Sequence, residues 1–125
     1  MITHLGLCTH WKQGDWLPSV SSSKHREPSH RAFPKLIEDW DIERIINDFS
    51  YSGQRMQAGG VDGIEFQVYG HFLDQFWSPL TNDLVGPYGA DTIENCMRFP
   101  MDVLAAIRKR VGNEFIVGSA IATAS

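Results

Sequence analysis

The sequence is short of several things, and each shortage removes a class of protein. It has two cysteines, Cys8 and Cys96, far apart and in no zinc-ribbon spacing. So sparse a set favours a reducing compartment over a disulfide scaffold. Acidic residues outnumber basic ones, 15 against 11, for a formal charge of −4. A broad nucleic-acid surface needs the opposite balance, because phosphates are met by concentrated Lys and Arg. No apolar run approaches the roughly 20 residues of a membrane span. The start, MITHLGLCTHW, lacks the basic leader and apolar stretch of a signal peptide. There is no internal repeat. The expectation is a soluble, cytoplasmic protein, and 125 residues suit one modest domain.

What is present is alternation of strand and helix. MITHL reads as a short strand. DWDIERIINDFSYSGQRMQAGG reads as a helix, with Ile42, Ile45, Ile46, Phe49 and Met56 on one face. Asp39 or Asp41 is expected to cap its start, and Gly59-Gly60 its end. VDGIEF follows as a strand. A second helix is expected from ADTIEN, where Asp91 and Glu94 have capping-box spacing and Pro100 falls near the first turns. Its apolar face holds Phe99, Val103, Leu104, Ile107 and Val111; Arg108, Lys109 and Arg110 suit the negative end of its dipole, and Gly112 closes it. EFIVGSAIA is a continuous apolar strand of the kind buried on both faces. This order predicts βαβ units and a parallel sheet. Residues 11–37 form a long loop, rich in proline and serine, of the length that is usually a lid or disordered.

In parallel α/β folds ligands gather beyond the carboxyl ends of the strands. Tyr69 and His71 follow the VDGIEF strand on that side; His4, Cys8 and His10 end the first strand. Histidine can carry or exchange a proton near neutral pH and tyrosine offers a hydroxyl, so the two could orient a polar or anionic group. For His71 taken alone, a hydrogen-bonded structural role is slightly the better reading. Phe66, Phe72, Phe76 and Trp77 read as loop-packing aromatics, and KHREPSHR as a solvated loop or an anion site. A zinc site from His4, Cys8 and His10 is a separate reading, though its spacing matches no finger or zincin.

The stretches THLGLCTHW, HREPSHRAFPKLIEDWDIERII, GGVDGIEFQVYGHFLDQFWSPLTN, PYG, IENCMRFPMDVL and VGNEFIVG carry a resemblance. The chain resembles the Old Yellow Enzyme-type flavin oxidoreductases, in the branch of trimethylamine dehydrogenase and the N-methylproline and dimethylglycine demethylases. The resemblance implies an eight-stranded (β/α) TIM barrel with FMN at its carboxyl-end face, of which this chain matches roughly strands three to five. It implies oxidation of a small N-methylated amine or amino acid by hydride transfer to FMN; other branches take electrons from NAD(P)H and reduce activated alkenes. Matched to the family's H-G-A-H-G-Y-L-L run, QVYGHFLDQF is one residue shorter, and Tyr69 and His71 become the implied substrate-orienting pair. His4 matches a histidine beside the flavin.

The departures concern the same face. Met1 stands where the family has a flavin-contacting glutamine, Gly6-Leu7-Cys8 where it has G-R-R, and Cys96 where Y-G-G-S-x-E-N-R ends in arginine. Ala120 stands about where an arginine approaches the flavin, and an alanine cannot supply that charge-assisted hydrogen bond. These losses point to a fragment, a decayed gene or an altered chain. Three strands also leave raw sheet edges, so a non-catalytic module that self-associates is the competing expectation.

Overall fold

The computed structural model describes residues 19–26, 33–68 and 72–121 in full and residues 2–5 as backbone. In chain order the elements are β1 (Ile2–Leu5), β2 (Val20–Ser21), β3 (Lys35–Leu36), α1 (Asp39–Ala58), β4 (Gly63–Gln67), α2 (Ile93–Val111) and β5 (Ile116–Ala120). A 3-10 turn, Leu73–Trp77, lies between β4 and α2. The main sheet runs β1-β4-β5, with both pairings parallel. Parallel neighbours need a crossover, and α2 supplies it between β4 and β5. β2 and β3 pair as a separate two-stranded parallel ladder inside the 11–37 segment.

Strand alternation sorts β4 into two faces. Ile64, Phe66 and the following Val68 are buried, while Glu65 is exposed. The buried set joins Ile42, Ile45 and Phe49 of α1 and Phe99, Val103, Ile107 and Val111 of α2 in one core. Ile46 and Met56 of α1, also expected inward, are partly buried against it. Gly53 sits where the three elements meet, since a Cβ there would lie 3.4 Å from both Ile107 and Ile64.

Caps differ from expectation at both helix starts. Glu38, not an aspartate, holds the cap position of α1. Asp41 acts from three residues inside, accepting the Glu38 N–H at 3.1 Å, and its buried carboxylate also binds Lys35 Nζ at 2.8 Å. Thr92, not Asp91, caps α2 by accepting the Asn95 N–H at 3.2 Å; Asp91 instead receives the Asn95 side-chain amide. Thr92 stands directly before the first helical residue in extended backbone, the position from which a side-chain oxygen reaches the N–H of the first turn. Pro100 falls in the interior of α2 rather than in its first turns. There it cannot donate to the carbonyl of Cys96, so this buried ring is kept for packing beside Phe99 at the expense of a helical bond.

Both helices end as expected. Gly59 N–H returns to Arg55 O at 2.9 Å and Gly60 takes φ 83°; Gly112 takes φ 77° with its N–H on Arg108 O. Only glycine adopts such angles without strain.

β5 corrects a further expectation. It forms where EFIVGSAIA predicts it, yet it is not buried on both faces: Ile116 is 51% exposed, and Gly118 and Ser119 are open as well. A continuous apolar run reports the capacity for two-sided burial; realising it takes a packed layer against each face, and among the described residues of β5 only Val117 packs against the core.

Tyr88 fastens the loop before α2. Its hydroxyl donates to Asp102 Oδ2 at 2.9 Å, and burial of the phenol, followed by that bond, pushes its pKa from 10.0 to about 12. The neutral phenol is thus favoured in the fold. Its stabilising contribution is fully present below pH 10 and is lost as pH rises through about 12. Urea midpoints are expected to fall across that window in the parent and more shallowly in Tyr88→Phe. Identical slopes would refute the linkage.

Candidate functional site

The carboxyl ends of the three strands lie together. Leu5 pairs with Phe66, and Gln67 pairs with Ala120. One residue later Val68 N–H donates to Ala120 O at 3.3 Å, which extends the β4–β5 pairing past the last strand residue. On the face opposite the helices, register sets Glu65 and Gly118 in one row and Gln67 and Ala120 in the next, with the backbone of His4 paired to that of Glu65. Gly118 and Ala120 project almost nothing, and a Cβ at Gly118 would meet no atom within 4 Å.

Immediately beyond β4 the chain closes on itself. Asp74 N–H donates to Val68 O at 3.2 Å, bracketing residues 69–73. Val68 on one side of the bracket and Phe72 and Leu73 on the other are buried. Tyr69 and His71 fall inside this bracket but outside the described residues, as do Met1, Cys8 and His10. His4 is described as backbone, paired to Glu65. The zinc reading therefore lies outside the described residues; among those described, no group of acids, histidines and cysteines is arranged to hold a metal. Ala120, the position of the missing arginine, is described and sits at the end of β5 beside Gln67.

The aromatics around the bracket are structural, as their sequence context suggests. Phe72, Phe76 and Phe99 are fully buried. Phe76 stacks on Phe99 with centroids 4.4 Å apart, and Phe72 meets both edge-on at 5.5 Å. Such offset and T-shaped pairs suit the ring quadrupole. They form a floor under the loop rather than a ligand cage.

Sequence reasoning missed the polar fastening of this loop. Asn82 is buried and fully used: Nδ2 donates to Phe76 O at 3.1 Å and Tyr88 O at 2.9 Å, while Oδ1 accepts from Leu84 N. Thr81 Oγ1 donates to Gln75 O at 3.0 Å. The Ser21-Ser22-Ser23 run, which reads as loop, is buried and reaches the same segment. An Asn followed by turn residues was the available signal for the first of these; nothing local signals the serines.

Residues 12–125 match the model of the NADH:flavin oxidoreductase / NADH oxidase family. The chain belongs to that family. It is 63% identical over 117 residues to a probable N-methylproline demethylase of Rhizobium meliloti, and 45% identical over 118 residues to an N,N-dimethylglycine/sarcosine dehydrogenase of Chromohalobacter salexigens. Each match takes in 94% of this chain and 17% of the relative, so the chain spans about a sixth of their length. Among solved structures it is similar to morphinone reductase in complex with tetrahydroNAD, with a TM-score of 0.76 at 26% identity over 86% of this chain and 33% of that one. The parallel strands and two helices are accordingly part of an Old Yellow Enzyme-type (β/α) TIM barrel.

The family is a flavin family, and the described strand ends can be tested against a flavin. A flat ring system needs a face free of bulky side chains and polar groups at its edge. Gly118 and Ala120 leave such a face, and Gln67 is paired with Ala120 in the strand register, so the described surface fits. Its one poverty is charge: β5 ends at Ala120, which offers no cation.

Proposed function

We propose that these residues form one partial barrel domain, with the 11–37 segment as its long loop, in an FMN-dependent oxidoreductase that oxidises a small N-methylated amine or amino acid. The observation that carries this reading is the Asp74–Val68 closure just past the carboxyl end of β4, since the stretch it brackets in sequence is the one that holds Tyr69 and His71. It is supported by the high identity to a probable N-methylproline demethylase. FMN, when bound, accepts a hydride from the substrate. Gln67 and the small residues of β5 hold the ring face, with His4 beside it. Tyr69 and His71 orient the substrate amine or its carboxylate by hydrogen bonds, and His71 can hold a proton there near neutral pH. The aromatic floor keeps water from the underside of the loop.

Two other readings rest on particular observations. The likeness to morphinone reductase bound to tetrahydroNAD favours NAD(P)H as electron donor and an ene-reductase activity. The exposed apolar residues of β5 and α2, Ile116, Met101 and Ile93, favour a non-catalytic chain that self-associates through its open sheet edge.

Titration of the purified chain with FMN, followed by quenching of flavin fluorescence, separates them. Saturable one-to-one binding is expected, with His71→Ala leaving flavin affinity within about threefold but slowing amine-dependent flavin reduction by about 10²-fold. Reduction by NADPH and not by amines would select the ene-reductase reading. Absence of binding at high micromolar FMN, together with concentration-dependent sedimentation, would select the self-associating one.

A further inference from the structure

We infer that Ser22 is a positioning residue which fastens the loop after β4 to the segment after β2, so that the two carboxyl-end loops form one body. The inference rests on the reading of Tyr69 and His71 as the site, and extends it to a residue far away in sequence. Ser22 is 0% exposed. Its Oγ lies 2.8 Å from Thr81 O and 3.0 Å from Gln75 O, so its single proton is shared between two carbonyls of the other loop. Its own carbonyl accepts the Asp83 N–H at 2.9 Å. One residue thus holds three points, at 75, 81 and 83, across a separation of more than fifty residues.

Those points are well chosen for control of the bracket. Gln75 lies in the Leu73–Trp77 turn, directly after the 69–71 run and its Asp74 closure. Thr81 ties back to the same Gln75 carbonyl, and Asn82 holds Phe76 from the opposite side. On the other strand of the link, Ser22 continues into Ser23, whose hydroxyl accepts the His25 N–H at 3.3 Å, and His25 Nε2 stands 3.5 Å from Asp83. The 24–26 segment therefore begins against the loop that carries the site. Removing the hydroxyl takes the side-chain donor from Thr81 O and leaves Gln75 O with its bond from Thr81 Oγ1, so both ties across to residue 22 are lost together.

Ser50 provides the control. It is equally buried, donates to Asn47 O at 2.9 Å and accepts from Arg110 Nε at 2.8 Å, but it sits between the helices. Ser22→Ala and Ser50→Ala are compared in the 125-residue chain by hydrogen–deuterium exchange, by FMN titration and by the rate at which N-methylproline reduces bound FMN. Ser22→Ala is expected to raise exchange at the amides of residues 73–83 about tenfold and to slow that reduction about tenfold with FMN affinity within about threefold, while Ser50→Ala changes none of these more than about twofold. Parent-like exchange at 73–83 in Ser22→Ala overturns the fastening. Equal slowing of flavin reduction by both variants overturns the positioning role, since loss of overall stability would account for it. A parent chain that binds no FMN defeats the proposed function instead, and the exchange comparison still decides the fastening.

Discussion

Gly63→Ala is expected to lose about 3 kcal/mol of stability, the upper end for overpacking a well-fitted site. A Cβ at position 63 would lie 2.5 Å from Ile116 Cβ and 2.7 Å from the Ile116 carbonyl oxygen. Neither atom can rotate away, because both belong to the backbone frame of β5. To admit the methyl the strands must part where Gly63 pairs with Ile116, at the point where Ile116 N–H also binds Asp62 O at 3.2 Å. Urea denaturation followed by circular dichroism reads the effect. Gly118→Ala is the companion measurement, since its Cβ meets nothing within 4 Å and should change stability by less than about 0.5 kcal/mol. A Gly63→Ala chain as stable as the parent would sink the close approach of β4 and β5.

Phe99→Ala removes the ring around which the aromatic floor is built. Phe99 is fully buried, stacks on Phe76, and meets Phe72 and Tyr88 edge-on at 5.5 Å and 6.2 Å. Truncating a buried phenylalanine costs about 3–5 kcal/mol, through lost transfer energy and the cavity left behind. Domains of this size hold about 5–15 kcal/mol in total, so the variant should be largely unfolded on mild warming. Phe99→Leu should recover more than half of the loss. Phe33→Ala, at a ring that is 71% exposed, should be near neutral. If Phe99→Ala melts with the parent, the floor does not hold the loop.

Much of the fold was legible because its signals are local. The apolar spacing of Ile42, Ile45 and Phe49, the glycines that stop each helix, and the short strands between them all report themselves within a few residues. What failed needed knowledge of distant partners. Asp91-x-x-Glu94 has the spacing of a cap, but Thr92 one position on is equally able to cap, and the helix starts after it. The serines at 21–23 look like solvent-facing loop because serine is polar; their burial depends on carbonyls near residues 75 and 81 that no local window contains. The apolar run of β5 described a strand correctly and its surroundings incorrectly, for burial belongs to neighbours. For the candidate site, order along the chain pointed to the carboxyl ends of the strands, and the resemblance selected Tyr69 and His71, which lie outside the described residues. The closure that brackets them comes from one backbone bond between residues 68 and 74, and backbone bonds leave no mark on side-chain choice.

The two helix-to-strand joints, at Gly60 and Gly112, share a backbone angle that other residues resist, and they lead into the amino ends of β4 and β5. The joints that set register thus lie at the opposite end of these strands from the carboxyl ends where the proposed site would begin. For directed evolution this is a useful division of labour. A library confined to residues 69–71 and 24–26 leaves the joints that align the strands intact, so its members should differ in what they accept far more than in whether they fold. Selection for new substrates could then proceed without first rebuilding the scaffold.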